Sequence, residues 1–298
     1  MFHFLSRTRS SAVLKSALAG VSLASIAALA PAASAQAPAN DRIPDLASIS
    51  FAWLSVGADW IDPPGTPGHG PIKADPAHPF LGNVDALRSG RQPTLRIGDA
   101  KDPILKPWAA AEMRASNEEA LSGIRQVPFA AQARCYPGGV PGQLLYPAEP
   151  LYFIQTPKQV WIVWQRDHMV RRIYLNQQHT VNPAPSWFGE SVGHYENGNT
   201  LVVDTIGLST KNSYIDNFRT PHTEKEHVVE RYSISADGKM LTAIATVDDS
   251  DAFNAPLTMM QQWRKVDNPL LETVCSENNA DFFHQNLFPI PEAGTPDF

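Results

Sequence analysis

Eight stretches in the second half of the chain have the composition of β-strands, and they constrain the fold more than any other feature. They are rich in β-branched and aromatic residues and are separated by short turn signals. They lie at 151–155, 160–165, 170–176, 191–196, 200–208, 227–235, 240–247 and 257–266, with a candidate ninth at 271–275. No helical pattern alternates with them, so we expect a mainly β fold in which residues 151–280 form an antiparallel barrel of about eight or nine strands.

The first half of the chain has a different character, because proline interrupts it. Residues 36–150 contain 16 prolines, whereas residues 151–298 contain 9. We expect 36–150 to be an irregular segment that wraps the barrel, with one helix near 107–126 that begins at Pro107. Residues 281–298 are expected to be C-terminal coil.

The first 35 residues have the pattern of a secretory signal peptide. Three basic residues precede an Ala-rich apolar stretch, and Ala33-Ser34-Ala35 is a small-residue cleavage site. An uncleaved membrane anchor is the alternative. The pattern predicts a periplasmic or secreted protein with no membrane anchor after cleavage.

Charge and cysteine content narrow the class of protein further. The net charge of −6 argues against a nucleic-acid partner, since neutralising phosphates requires a basic excess. Cys135 and Cys275 are the two cysteines, and an even pair in an exported protein usually forms a disulfide. Two buried free thiols are the alternative. We expect a small molecule to be the partner, and the oligomeric state stays open.

The Asp237-Gly238 turn sets the register of one hairpin and places an acidic side chain on an apolar face. Glu230, Tyr232 and Ile234 share that face with Leu241. A carboxylate there is costly unless it is paired or performs chemistry. Glu230 is therefore either a general base or half of a structural ion pair with Arg172 or another cation.

A second predicted turn, at 167–168, groups Trp161, Arg172 and Tyr174 on one face of the sheet. An Arg between two aromatic side chains suits a bound carboxylate. We expect this face to be an inner one that lines a pocket. The alternative is an exposed face with a solvated Arg, which we consider more applicable to Arg171 than to Arg172.

The Asn197-Gly198 turn gives a third register. It predicts that His194 and Asp204 lie on opposite faces and that Asp204 faces Ser191, either as a structural hydrogen-bond partner or as a pocket carboxylate.

Two histidines near the start of the strand at 227 raise the question of a metal site. His222, His227 and Glu230 match no established zinc spacing, and alternation on a strand puts His227 and Glu230 on opposite faces. We therefore predict no metal site. His222 lies in a loop and is a candidate acid or base at the mouth of the barrel.

Several motifs resemble a large family of secreted bacterial proteins. They are SWFGESVGHYENGNTLVVDT at 186–205, Pro-His at 221–222, HVVERY at 227–232 and the CYPGG segment that begins at Cys135. The resemblance covers roughly residues 107–279. The chain departs from the family by having Tyr195 where Trp is usual and Asn197 beside Gly198.

The resemblance implies a lipocalin-like barrel. Some relatives are associated with sphingomonad catabolism of lignin-derived aromatic dimers, including cofactor-free decarboxylation of phenylcoumaran-type acids. In this chain Glu230 would be the base near the phenol, Arg172 would hold the carboxylate, and Tyr174 or His222 would protonate the departing ring oxygen. The candidate catalytic residues are Glu230, Arg172, Tyr174, His222 and Asp204, and the candidate substrate-binding residues are Trp161, Tyr232, Tyr195 and His194.

Three functions follow from these patterns. The first is an exported, cofactor-independent lyase that acts on a phenolic aromatic acid through a quinone-methide-like intermediate. The second is a lipocalin-like protein that binds a hydrophobic or aromatic ligand without turnover. The third is a hydrolase or dehydratase that uses the same pocket.

Overall fold

A computed structural model describes residues 43–47, 50–65, 68–122, 135–145, 150–211 and 213–275. The predicted signal peptide (1–35), the end of the predicted helix (123–126) and the C-terminal coil (281–298) lie outside these residues.

Nine strands in the described part of the chain form one closed barrel, which confirms the predicted mainly β fold and strand number. They are β1 (Ala52–Ser55), β2 (Leu151–Gln155), β3 (Gln159–Trp164), β4 (Val170–Leu175), β5 (Glu190–Glu196), β6 (Thr200–Ile206), β7 (His227–Ile234), β8 (Met240–Asp248) and β9 (Leu257–Val266). The helices are α1 (Asn83–Ser89), α2 (Pro107–Ser122) and a 3₁₀ turn, Gly142–Leu145. Pro107 begins α2 as expected, whereas α1 is a helix that the sequence did not predict.

The strand that closes the barrel comes from the proline-rich half. β1 pairs with β9 on one side and with β2 on the other. The candidate strand at 271–275 is not a barrel strand, and its pairing is a single bridge between Arg166 and Thr273. The proline-rich half therefore supplies one wall of the barrel as well as wrapping it.

One neighbour pair departs from the antiparallel arrangement. Eight of the nine pairs are antiparallel, whereas β4 and β5 run parallel. A parallel pair needs a connection that returns the chain to the same end of the sheet. Residues 176–189 make this connection, and we call them the crossover loop.

The three predicted hairpin registers fared differently. The register around 237–238 is confirmed, with Glu230 opposite Ala245. The register around 197–198 is wrong by one residue, because three residues rather than two separate Glu196 from its partner Thr200. The register around 167–168 is displaced by two residues, since Val163 pairs with Val170, and a displacement of two preserves the faces.

Large side chains from the strands fill the barrel. The largest fully buried ones include Trp53, Trp164, Trp263, Arg171, Tyr232 and Phe153. Helix α2 adds Met113 to the same hydrophobic core. The interior is therefore a packed core that contains a small number of polar groups.

A disulfide joins the 135–145 segment to the end of the described chain. Cys135 and Cys275 are bonded, with Cα atoms 5.6 Å apart and 140 positions apart in sequence. This confirms the predicted pairing and is compatible with an oxidising compartment. None of the helices in the described ranges has the length and apolar content that a membrane crossing requires.

Candidate functional site

Strand β4 sends its two arginines to opposite sides of the barrel wall. Arg171 points inward with Ile173 and Leu175, and it is 2% exposed. Arg172 points outward and is exposed. The expectation that Arg171 is the solvated arginine is wrong, because Arg171 shares the buried face of β4 with Ile173 and Leu175.

Inside the barrel, Arg171 forms an ion pair with Glu230. Its Nη1 donates to Glu230 Oε1 at 2.9 Å, and its Nη2 donates to Glu230 Oε2 and, at 2.8 Å, to Thr205 Oγ1. Its Nε donates to Ser191 Oγ at 3.1 Å. The Tyr232 hydroxyl donates to Glu230 Oε1 at 2.8 Å. These five side chains make a connected polar network inside the packed core.

The electrostatics of this network follow from burial and from the pair itself. Burial alone would lower the pKa of Arg171, but the adjacent Glu230 carboxylate outweighs it and raises that pKa. Burial raises the pKa of the Tyr232 phenol well above its usual value, and the Glu230 charge raises it further. Arg171 therefore stays cationic and Tyr232 stays a neutral donor.

This arrangement separates residues that the sequence analysis placed in one pocket. Glu230 is 0% exposed inside the barrel, whereas Arg172 and Tyr174 lie on the outer face. The expectation of a shared inner pocket is wrong, because β3 and β4 turn their more apolar alternate residues inward. Of the two readings of Glu230, its contacts match the structural ion pair, with Arg171 as the cation in place of Arg172.

The outer face does carry a cleft, and the predicted trio lines it. Its volume is about 590 Å³, and its lining includes Trp161, Arg172, Tyr174, Phe188 and Glu190. Strands β3, β4 and β5 form its floor, and the crossover loop forms a wall. We call it the Arg172 cleft.

The cation of the cleft lies against two aromatic rings. The Arg172 guanidinium carbon is 4.9 Å from the Trp161 ring centroid and 5.9 Å from that of Tyr174. Its Nη1 donates to the Tyr174 hydroxyl at 3.2 Å. Within the described ranges no carboxylate forms an ion pair with Arg172. Its charge is thus held in place by stacking and remains available to an anion.

An anion lies on another wall of the same cleft. Glu190 Oε1 accepts from the backbone N–H of Thr180 at 2.6 Å and contacts His179 Nδ1 at 3.1 Å, and Oε2 accepts from Thr180 Oγ1 at 2.9 Å. Partial burial tends to raise the pKa of Glu190, but these hydrogen bonds outweigh it and hold that pKa below its usual value. The cleft therefore presents one fixed cation and one fixed anion.

Behind Glu190, a chain of contacts runs across the outer face. His179 Nε2 lies 2.9 Å from Asp204 Oδ1, and His227 Nε2 lies 2.8 Å from the same oxygen. The predicted contact between Asp204 and Ser191 is wrong, since the one-residue change of register places Asp204 opposite Val192 on the outer face.

No group of three or more His, Cys, Asp or Glu side chains has the geometry to hold a metal ion in the part of the chain that the structure describes. The histidine and carboxylate contacts behind Glu190 are therefore treated as hydrogen bonds and ion pairs.

The remaining candidate residues lie elsewhere. His194 is on the outer face with Asp204, contrary to the predicted register, and its Nε2 lies 2.9 Å from Glu196 Oε1. Tyr195 is on the inner side at the end of the barrel, where its hydroxyl accepts from Gln155 Nε2 at 2.9 Å. Partial burial raises the pKa of Tyr195, and the Gln155 hydrogen bond offsets this in part.

His222 belongs to a separate buried pair. Its Nδ1 is 2.7 Å from Glu226 Oε2 and 3.2 Å from the carbonyl oxygen of Thr223. Glu226 Oε1 and His222 Nε2 are buried without a hydrogen-bond partner among the described residues. Burial would lower the pKa of His222, but the Glu226 charge raises it above its usual value; burial raises the pKa of Glu226, and His222 offsets this in part.

This pair predicts a loss of stability as pH rises. A folded-state pKa above the unfolded value means that the stabilisation is present below about pH 6.5 and is lost as pH rises through the raised pKa of His222. The raised pKa of Glu226 acts in the same direction. Urea unfolding measured at increasing pH above about 6.5 is expected to show a falling free energy of unfolding. In Glu226→Gln this free energy is expected to depend less on pH.

His194→Gln is the control, because His194 is exposed and pairs with a different carboxylate. It is expected to keep the wild-type pH dependence. An unchanged slope in Glu226→Gln would contradict the assignment to the buried pair.

Comparison with known proteins does not assign the chain to a family. No protein-family model matches the chain, and a search of curated proteins finds no match. The class of protein is thus defined by its structure: a filled nine-stranded mixed barrel with an external cleft of aromatic and oppositely charged side chains.

The sequence analysis missed four residues that shape these sites. Arg171 had a usable signal, because it is spaced by two residues from Ile173 and by four from Leu175 and so lies on their face of the strand. Glu190, Glu226 and His179 had none: Glu190 and Glu226 lie at or just before strand ends, and His179 lies in a polar loop without periodicity.

Proposed function

We propose that this protein takes a phenolic carboxylic acid into the Arg172 cleft and acts on it as a cofactor-independent lyase. The observation that carries the proposal is the Arg172 guanidinium, stacked on Trp161 and Tyr174 with no carboxylate partner among the described residues. A ligand carboxylate supplies the missing anion, and its aromatic ring finds apolar walls.

The second charge of the cleft narrows the ligand class. Glu190 would repel a ligand carboxylate but accepts a hydrogen bond from a hydroxyl. A ligand that carries a carboxylate at one end and a phenol at the other matches both Arg172 and Glu190. The cleft volume of about 590 Å³ falls within the range of small-molecule sites.

The lyase step can be written with the groups of the cleft. Glu190 accepts the phenol proton, the ring C–O bond breaks to leave a quinone methide, and Tyr174 protonates the departing oxygen. The carboxylate then leaves as CO₂, and its bonding electrons form a carbon–carbon double bond and restore the phenolate. The phenolate takes its proton back from Glu190, and solvent returns a proton to Tyr174. One proton is consumed overall, and no oxidant or reductant is needed. In this proposal Glu190 takes the place that the sequence analysis assigned to Glu230.

Binding without turnover is the second candidate, and one observation favours it. Glu190 is fully hydrogen-bonded by Thr180 and His179, and its lowered pKa makes it a weak base. An anion of this kind orients a phenol well without necessarily removing its proton.

The test is incubation of the chelator-treated protein with a panel of phenolic dimers and acids, followed by liquid chromatography and mass spectrometry. Loss of one CO₂ from a compound without added cofactor supports the lyase. Saturable binding in calorimetry without a product moves the assignment to the binding protein. If no compound of the panel gives a product and none binds, the proposed function is overturned.

Arg172→Gln tests which site is responsible. Losing a charge-assisted contact to the ligand carboxylate is expected to weaken binding about 10- to 100-fold, measured by calorimetry. Arg231→Gln is the control, because Arg231 is also an outer-face arginine but already pairs with Glu196. Equal affinity in Arg172→Gln and the wild type would contradict the cleft as the binding site.

A further inference from the structure

The crossover loop is held to the barrel by a histidine with an unusual pair of neighbours. Both ring nitrogens of His179 face carboxylate oxygens, Glu190 Oε1 at 3.1 Å and Asp204 Oδ1 at 2.9 Å. A neutral imidazole carries one N–H and can donate to only one of them, whereas the doubly protonated ring donates to both. Both contacts can be hydrogen bonds at the same time only if both ring nitrogens carry a proton.

The carboxylates belong to the barrel and the histidine belongs to the loop. Glu190 opens β5 and Asp204 lies on β6, whereas His179 lies in the crossover loop together with Thr180 and Phe188, which line the cleft. The His179 contacts thus fix the distance between the loop wall of the cleft and its floor.

We propose that His179 is a positioning residue of the Arg172 cleft: its protonated ring clamps the crossover loop to β5 and β6, and loss of one proton releases one side of the clamp. The consequence for ligand binding rests on the proposed function, whereas the clamp itself does not. When the ring carries one proton instead of two, the loop is expected to loosen and the cleft to lose its shape.

Among the charged groups around His179, it is His179 itself that loses a contact when it loses a proton. Glu190 and Asp204 are its direct partners, His227 contacts Asp204 from β7, and Asp248 on β8 is paired in register with His227. His227 needs only one N–H for its contact with Asp204, so its neutral form keeps that hydrogen bond. His179 has no neutral form that keeps both of its contacts.

Amide hydrogen exchange tests the clamp without any ligand. The reporter is the Thr180 N–H, which donates to Glu190 Oε1, and the internal control is the Asn176 N–H, which donates to the Gly193 carbonyl at 2.8 Å. After correction for intrinsic exchange, protection at Thr180 is expected to fall about three- to tenfold between about pH 6 and 8 in the wild type. Protection at Asn176 is expected to stay constant.

His179→Gln is expected to show low protection at Thr180 at both pH values, because glutamine does not titrate in this range. Asp204→Asn, which keeps the histidine but removes one anionic acceptor, should also reduce protection at the lower pH. His194→Gln is the matched control, since His194 also pairs with a carboxylate on the outer face but lies outside the loop. The same pH-dependent fall in His179→Gln, or no fall in the wild type, would overturn the proposal.

Titration with 4-hydroxycinnamate as a probe separates this inference from the proposed function. Weaker binding at the higher pH in the wild type, with no pH effect in His179→Gln, supports both. A pH-dependent clamp in the exchange experiment without binding of any phenolic acid supports the clamp and counts against the proposed function.

Discussion

Replacing Arg171 by methionine is expected to lower the free energy of unfolding by about 3–5 kcal/mol, the cost of leaving a buried charge without its partner. Arg171 is 2% exposed and Glu230 is 0% exposed, so the remaining carboxylate has no access to water. The substitution also removes the donors to Thr205 and Ser191. Urea unfolding followed by tryptophan fluorescence measures the effect.

Arg172→Met is the matched control, because it is the same substitution at the next position of the same strand. Arg172 lies on the outer face and is exposed, so the free energy of unfolding is expected to stay within about 0.5 kcal/mol of the wild type. Equal destabilisation by the two substitutions would refute the assignment of Arg171 to the interior. A double variant, Arg171→Met with Glu230→Gln, should recover part of the loss, because it removes the uncompensated charge.

Removing the disulfide has a comparable expected effect. In the chain-entropy model, a cross-link between positions 140 residues apart stabilises the folded chain by roughly 4–5 kcal/mol. Cys135→Ser and Cys275→Ser are expected to lower the free energy of unfolding by similar amounts, because either one opens the same loop. The measurement is urea unfolding of each variant in the absence of reductant.

Reductant provides the internal control for this prediction. It is expected to destabilise the wild type and to leave the double variant Cys135→Ser/Cys275→Ser unchanged. A wild-type unfolding curve that is insensitive to full reduction would show that this bond contributes little to stability.

Local pattern was sufficient for the strands β2 to β9 and for one complete register. Strand composition predicted the bounds of β2 and β9, and the five-residue connection around Asp237-Gly238 kept the predicted pairing of Glu230. Alternation with a period of two then put Glu230 and Tyr232 on the inner face. These features depend on neighbours close in sequence, which is why they could be predicted.

Arg171 was not predicted as the partner of Glu230, although the alternation within β4 points to it. β4 alternates two arginines with apolar residues on both faces, and Arg171 shares its face with Ile173 and Leu175. The aromatic residues near Arg172 suggested a lined pocket, and they do line one, but on the outside of the barrel.

By itself the sequence determined a mainly β chain, the hairpin register around Asp237-Gly238, the disulfide pair and the grouping of Trp161, Arg172 and Tyr174. Only the tertiary structure decided which side of the wall that group occupies, that β1 closes the barrel, and that His179 reaches Asp204. The physical reason is that a strand has two faces of similar composition here, and closure of the barrel chooses between them. The contacts of the crossover loop depend on strands that are distant in sequence, so no local pattern encodes them.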